Sequence, residues 1–269
     1  MVAALNQWWP DANIWRSKDS GATWSPIWEI VGYPARNKYY SYDISAAPWL
    51  QDRTRTDEFI AEIGWMIEAL VIDPHDFDHW LYGTGATIYG GRDLTKWDTV
   101  HNVTVKSLAT GIEETAVLGL ISPPGGPPLL SAVGDIGGFY HANLDVAPNQ
   151  MFQTPTYGTT LDIDYAGNKP SNIVRAGNNA HDTSQPQVAV SSDYGAKWNA
   201  NYAAPVGQAP GKVAYGADAD SIILVPSTGG VLVSKNQGSF TAVSGLPAGA
   251  AIASDKRNGT VFYGGSAGR

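Results

Sequence analysis

The 269-residue chain contains no cysteine, and this absence excludes disulfide bonds, thiol chemistry and cysteine-ligated metal. Positive charge is also scarce, because 17 Lys and Arg stand against 25 Asp and Glu and leave a formal net charge of −8. Nucleic-acid binding depends on Lys and Arg at the phosphates, so this balance argues against it. No apolar run approaches the roughly 18 residues that cross a bilayer. We expect neither nucleic acid nor a membrane as a partner.

Cofactor and metal motifs are missing as well. The sequence has no G-x-S-x-G turn and no P-loop, which removes the α/β-hydrolase and P-loop nucleotide classes. Residues 73–79 are rich in oxygen and nitrogen donors, but they lack the spacing of an EF-hand and fall between two predicted strands, where a solvated turn is expected. We therefore expect no metal site and no organic cofactor.

Glycine and aromatic residues are plentiful. The chain has 30 Gly, 17 Pro, 10 Trp and 13 Tyr. Glycine supplies turn dihedrals and aromatic side chains fill pleated surfaces, so this profile is typical of many short strands joined by tight turns. The composition predicts an all-β chain.

A turn motif recurs along the sequence. The pattern S-x-D-x-G-x-x-W occurs at residues 17–24 and 191–198, with a shortened copy at 234–240 and a degenerate one at 91–97. Ser and Asp can hydrogen-bond turn amides, Gly allows a positive φ, and the final aromatic can return to the core. The pattern resembles the Asp box of sialidase-like propellers. We interpret it as a hairpin staple and not as a catalytic site.

Pairs of apolar segments separated by a polar turn precede these boxes. They lie at residues 69–73 with 80–83, 161–165 with 172–177, 212–215 with 221–225, and 251–254 with 260–264. Pairs and boxes together give about four strands every 40 to 50 residues, which predicts β-propeller blades. Residues 33–64 break this rhythm, and we expect them to form a loop over a binding face.

Longer segments carry a family resemblance. Residues 6–17 (NQWWPDANIWRS), 42–50 (YDISAAPWL) and 82–90 (YGTGATIYG) look like the first propeller of glycoside hydrolase family 74, the xyloglucanases. Residues 112–117 (IEETAV) and 121–139 (ISPPGGPPLLSAVGDIGGF) look like the opening of its second propeller. The resemblance implies parts of two seven-bladed propellers. Residues 1–107 would be the last blades of the first, starting mid-blade, and residues 108–269 the first blades of the second, ending mid-blade.

The resemblance also implies a mechanism. This family holds a β-1,4-glucan between its propellers and cleaves it with inversion, using one Asp as general acid and an opposed Asp as general base. The family's acid lies in a G-D-x-x-G-F turn, which here makes Asp135 the expected general acid. The base lies in a T-D-x-G-G turn that this sequence does not match. The chain is thus expected to hold the acid without the base.

Six residues are candidates for substrate binding. Trp8 and Trp9 match an aromatic loop of the family, and adjacent aromatics before Pro10 could both stack on sugar rings. Packing within a blade is the alternative for both. The weaker candidates are Trp49, Trp65, Tyr89 and His141, and the last of these follows the Asp135 turn and is expected to line the same cleft.

These observations predict a secreted, extracellular glycoside hydrolase that acts on xyloglucan or a related β-1,4-glucan, by internal or chain-end cleavage. Two N-x-[ST] triplets, at Asn102 and Asn258, are compatible with a secretory route. The alternative is an inactive glucan-binding or structural propeller fragment. In both cases the missing remainder of a two-propeller enzyme is the expected partner chain.

Overall fold

The computed structural model describes residues 2–5, 11–33, 35–50, 61–112, 115–178, 184–207 and 210–266. These residues form β-strands and two short 3₁₀ helices, which confirms the all-β prediction. No helix among them is long and apolar enough to cross a membrane. Contacts divide the chain into unit 1, Met1–Glu114, and unit 2, Thr115–Arg269.

The described residues of unit 1 form three sheets. Its strands are β1 (Val2–Leu5), β2 (Asn13–Arg16), β3 (Ser25–Pro26), β4 (Trp28–Gly32), β5 (Ala35–Lys38), β6 (Tyr40–Asp43), β7 (Ala69–Asp73), β8 (Asp76–Gly83), β9 (Ile88–Arg92) and β10 (Val103–Ser107). The sheet orders are β1-β2-β3, β4-β5 and β6-β10-β9-β8-β7. The 3₁₀ helices are Pro48–Leu50 and Leu94–Asp98.

The expectation of a loop over residues 33–64 is corrected in part. All of β5 and β6 fall inside this range, and β5 pairs antiparallel with β4. β6 joins the large sheet by pairing parallel to β10, where Tyr42 lies opposite Val105. Tyr40 on β6 is buried in the core of unit 1, so this part of the insert extends the sheet instead of leaving it.

In unit 2, the part of the chain that the structure describes forms four antiparallel sheets. Its strands are β11 (Val117–Ile121), β12 (Leu129–Val133), β13 (Gly138–His141), β14 (Thr159–Ala166), β15 (Lys169–Asn178), β16 (Val188–Ser191), β17 (Asn199–Ala200), β18 (Gly211–Tyr215), β19 (Ser221–Pro226), β20 (Leu232–Lys235), β21 (Thr241–Ala242), β22 (Ala251–Ser254) and β23 (Phe262–Gly265). The sheets are β11-β12-β13, β14-β15-β16-β17, β18-β19-β20-β21 and β22-β23. All the predicted strand pairs are confirmed.

The sheets of unit 2 stack through their first strands. β11 contacts β14, β14 contacts β18, and β18 contacts β22. The strands behind them are apolar runs, and every residue of β19 is buried. Side chains of β15, β16, β18 and β19 form one core cluster between two sheets. A stack of sheets that bury both faces in this way is expected for successive propeller blades.

The Asp box at residues 191–198 forms the predicted staple. Ser191 Oγ donates to Asp193 Oδ1 at 2.8 Å, and the amides of Gly195 and Lys197 donate to Ser191 Oγ and Asp193 Oδ1. Gly195 has a φ of +83°, as the pattern requires. Trp198 returns to the core at 4% exposure. The staple joins β16 to β17, so it lies beyond the third strand of its sheet.

The first box follows the same pattern with one difference. Ser17 Oγ donates to Asp19 Oδ1 and Gly21 N donates to Ser17 Oγ, both at 2.8 Å. Trp24, however, is 38% exposed and donates its indole N–H to the carbonyl of Gly21. The expectation that the final aromatic enters the core is therefore wrong for this box.

Candidate functional site

Asp135 lies in the turn between the second and third strands of the first sheet of unit 2. We define the Asp135 turn as residues 134–137, which join β12 to β13. β12 is apolar and its last four residues are buried, so the chain leaves the core directly before the turn. Asp135 itself is exposed and has a φ of +63°. A positive φ is uncommon outside Gly, although Asp tolerates it better than most residues.

Neighbouring segments hold the Asp135 turn in place. Gly134 N donates to the carbonyl of Ala116 and Gly137 N to the carbonyl of Gly158, both at 2.9 Å. Asp135 N donates to Thr159 Oγ1 at 3.4 Å. Ala116 immediately precedes β11, and Gly158 immediately precedes β14. The turn is thus fixed from both sides by the segments that lead into two adjacent first strands.

Glycine is required at two positions here. A Cβ on Gly137 would lie 2.4 Å from the carbonyl oxygen of Tyr157, and one on Gly138 would lie 2.2 Å from that of Ser131. Both residues have a positive φ, +70° and +141°. The glycines of the G-D-x-G-G motif are therefore required by backbone contacts on both sides of the turn. These contacts fix the position of Asp135.

The carboxylate of Asp135 makes no hydrogen bond or ion pair with any other residue that the structure describes. Asp162 and Asp164 on the adjacent β14 are different, because they accept hydrogen bonds from the amides of Val213 and Tyr215 on β18. These two carboxylates hold neighbouring sheets together. Within the described ranges, no group of three His, Asp or Glu side chains could hold a metal ion.

His141 lies at the other end of the hairpin from Asp135. It is the last residue of β13 and pairs with Leu129, the first residue of β12. Three residues of strand, 138–140, therefore separate it from the turn, and it lies roughly 13 Å from residue 137 along β13. Ser131 Oγ lies 2.9 Å from His141 Nε2, and partial burial lowers the pKa of this imidazole. His141 thus lies at the opposite end of the hairpin from Asp135, and its place in the same cleft stays a prediction.

Trp65 lies beside the corresponding turn of unit 1. This turn, residues 84–87, joins the second and third strands of the β7-β8-β9-β10 series, as the Asp135 turn joins β12 to β13. Gly85 N donates to the carbonyl of Trp65 at 2.8 Å, and a Cβ on Gly85 would lie 2.4 Å from the indole nitrogen. Trp65 is half-buried and therefore keeps accessible ring surface.

Two other aromatic candidates are buried. Tyr89 is 2% exposed, stacks on Tyr82 with ring centroids 5.5 Å apart, and has its hydroxyl 3.3 Å from that of Tyr42. Burial raises the pKa of Tyr89 to about 12. Trp49, in the 3₁₀ helix Pro48–Leu50, is 8% exposed. Both rings pack inside unit 1. Trp8 and Trp9 lie outside the described residues.

Sequence analysis missed a buried cation in unit 2. Arg175 on β15 is completely buried, and its guanidinium carbon lies 4.5 to 5.2 Å from the ring centres of Phe152, Tyr157 and Trp198. Its Nη2 donates to the carbonyls of Gln153 and Pro155. Burial lowers the pKa of the guanidinium to about 10. The one signal for it is a lone Arg within the apolar run of β15.

Known proteins resemble the whole chain. A xyloglucanase of Hypocrea jecorina is 51% identical over 99% of this chain, and a xyloglucanase of Paenibacillus is 46% identical over all of it. The structure superposes on that of the GH74 xyloglucanase from Xanthomonas campestris with a TM-score of 0.78 and 32% identity over 95% of the chain. This chain belongs to glycoside hydrolase family 74. No family model matches it.

The chain spans about a third of these relatives, 33% and 27% of the two sequences and 34% of the solved structure. The GH74 enzyme from Niastella koreensis superposes with a TM-score of 0.72 and 26% identity over 94% of the chain. The neighbours are β-propeller proteins, so the predicted propeller blades are confirmed.

Proposed function

We propose that this family 74 chain contributes the general acid, Asp135, to an inverting glycoside hydrolase that cleaves β-1,4-glucosidic bonds of xyloglucan. The observation that carries the proposal is an exposed, unpaired carboxylate on a turn that backbone contacts fix on both sides. A residue held at a positive φ by its surroundings is a common feature of functional sites. The relatives named xyloglucanase support the choice of substrate.

In this mechanism Asp135 protonates the glycosidic oxygen as the bond to the anomeric carbon breaks. A second carboxylate, at roughly 6.5 to 9.5 Å, removes a proton from the water that attacks the opposite face of the sugar. We propose that this base is not among the residues of this chain, because no segment matches the family's T-D-x-G-G turn and the nearby Asp162 and Asp164 serve contacts between sheets. Trp65, with Trp8 and Trp9 outside the described residues, would stack on glucose rings.

We further propose that residues 1–107 and 108–269 belong to two seven-bladed propellers, and that the complete protein is secreted. Solubilised plant polysaccharide is an extracellular substrate, which fits this location. The alternative function is a glucan-binding or structural piece without catalysis. It is favoured by one observation, that this sequence does not match the T-D-x-G-G turn that holds the family's general base.

A chimera tests the catalytic proposal. This chain replaces the matched segment of the Hypocrea jecorina xyloglucanase, and reducing-sugar release from xyloglucan is compared for the unmodified chimera, Asp135→Asn and Asp145→Asn. Asp145 is an exposed acidic residue after β13 and serves as the matched control. We expect Asp135→Asn to lower kcat by about 10²- to 10⁴-fold, the usual contribution of general acid catalysis. Asp145→Asn should leave it unchanged.

A substrate with a different leaving group distinguishes a general-acid role of Asp135 from a general-base role. A dinitrophenyl β-glucan oligosaccharide has a leaving group that departs without protonation, so Asp135→Asn should lose far less activity on it. An equal loss on both substrates would contradict the acid role. Activity of the 269-residue chain alone would contradict the missing base, and an active Asp135→Asn chimera on xyloglucan would overturn the proposal.

A further inference from the structure

A cavity of about 770 Å³ opens in unit 2. We call it the box-side pocket, because Asp-box residues 192, 193 and 195–198 line it together with Asn199, residues 150–154 and Tyr140. No residue of the Asp135 turn lines it. Ligand pockets have volumes of roughly 300 to 1,000 Å³, so this cavity is large enough for several sugar rings.

The walls of the box-side pocket combine one accessible ring with amides. The half-buried Tyr140 supplies the ring and has one side packed against the core, whereas Phe152 and Trp198, each 4% exposed, back the cavity from the core. Gln150 and Asn199 are exposed, and neither their amides nor the Tyr140 hydroxyl bonds to protein within the described ranges. Aromatic C–H contact beside amides that can both donate and accept suits the faces and the neighbouring hydroxyls of a pyranose.

The charged side chains that line the pocket favour neither an anionic nor a cationic ligand. One carboxylate, Asp193, and one ammonium, Lys197, line it. Asp193 is already occupied, because it accepts from Ser191 Oγ and from the amide of Lys197. A lining with one charge of each sign favours a neutral polar ligand.

The pocket is rigid on both sides. The box staple fixes residues 191–198. On the other side Arg175 donates to the carbonyls of Gln153 and Pro155, and Phe152 meets Trp198 edge to face with ring centroids 5.1 Å apart. Phe152 N also donates to the carbonyl of Gly138 at 2.8 Å. A preformed site loses little entropy when a ligand binds.

We propose that the box-side pocket is a second carbohydrate site, which binds a short stretch of neutral β-1,4-glucan without cleaving it. The choice of sugar rests on the proposed function, whereas the existence of the site rests on the cavity and its lining. Such a site would hold the polymer at a second point of the same protein and so raise its effective concentration at the catalytic carboxylate.

Binding to the 269-residue chain itself tests the inference. Cellotetraose and a xylose-branched heptasaccharide are titrated into ¹⁵N-labelled chain and followed by NMR and calorimetry. We expect the largest shifts at the amides of Tyr140, Gln150 and Asn199. Gln150→Ala combined with Asn199→Ala should weaken binding about tenfold, because each exposed amide loses its hydrogen bonds to sugar. Thr228→Ala, an exposed polar residue outside the pocket, should have no effect.

Two results would overturn the inference. One is the absence of saturable binding at the highest soluble oligosaccharide concentration. The other is binding whose shifts centre on residues 134–137 and whose affinity the double variant does not change. Failure of the proposed function is distinguishable, because it would appear as an inactive chimera while the isolated chain still bound oligosaccharide at the pocket.

Discussion

Lys256 Nζ donates to Asp164 Oδ1 at 2.6 Å, although 92 residues separate the two in sequence. The same ammonium donates to the carbonyl of Tyr165 and to Ser254 Oγ. The other oxygen of Asp164 accepts from the amide of Tyr215 on β18 at 2.8 Å. One carboxylate on β14 therefore binds groups from the two following sheets. These polar contacts of Asp164 join the stacked first strands in addition to the apolar core.

The contact between Lys256 and Asp164 predicts that two lysine substitutions differ in their effect on stability. Lys256→Met should lower the free energy of unfolding by about 2 kcal/mol, the range of a hydrogen bond between charged groups. Lys212→Met is the matched control, because Lys212 is more exposed and its Nζ lies 3.8 Å from Asp162 Oδ1. It should cost less than about 1 kcal/mol. Urea unfolding measures both free energies. Equal losses would contradict a stabilising role for the contact between Lys256 and Asp164.

The buried cation predicts a larger effect. Arg175→Ala should destabilise the chain by about 3 kcal/mol or more, because it leaves a cavity among three rings and two carbonyls without a donor. Arg175→Lys keeps the charge and a donor but loses the planar face that lies among the three rings, so we expect an intermediate loss. Thermal and urea unfolding provide the measurement. If Arg175→Ala were as stable as the wild type, the contacts of Arg175 with the three rings would contribute nothing to the free energy of unfolding.

The sequence was sufficient for the local parts of this fold. Ser17, Asp19 and Gly21 specify their staple within five residues, and the hairpin of β18 and β19 joins two apolar runs through a short turn. Strand β6 could not be predicted in this way. It pairs parallel to β10 across some 60 residues, and no local pattern encodes such a pairing.

The residues around the candidate site also differ in how far local sequence predicts them. Asp135 could be proposed from the sequence because its turn has a distinctive motif, whose glycines the neighbouring backbone requires. Arg175 was missed, because the rings around it come from Phe152, well before it in the chain, and from Trp198, well after it. Tyr89 was assigned to substrate because its segment matched the family. Its pairing with Tyr82 turns the ring into the core instead.

The first Asp box predicts a pH dependence. Hydrogen bonds from the Thr23 side chain, the Thr23 amide and Ser17 lower the pKa of Asp19 from 3.8 to about 2. Because the pKa is lower in the folded state, the stabilisation is complete above pH 4 and is lost as the pH falls towards 2. The difference in melting temperature between wild type and Asp19→Asn should therefore shrink between pH 5 and pH 2. A difference that stays constant over this range would exclude the ionised carboxylate as its source.

The last prediction concerns the glycine after Asp135. Gly137→Ala places a Cβ 2.4 Å from the carbonyl of Tyr157 at a φ of +70°, so the Asp135 turn must shift. Gly229→Ala is the matched control, because Gly229 occupies the corresponding turn between β19 and β20 at a φ of +96°, with no atom within 4 Å of its Cβ. Both variants carry backbone strain of about 1 kcal/mol or more.

These two variants separate strain from displacement of the carboxylate. In the xyloglucanase chimera, Gly137→Ala should lower kcat by about 10²-fold, because a shift of the order of 1 Å in a reacting group has effects of that size. Gly229→Ala should lower the melting temperature and leave kcat unchanged. Equal kcat values for the two folded variants would mean that the position of Asp135 does not govern the rate, and the general acid would have to be sought at another carboxylate.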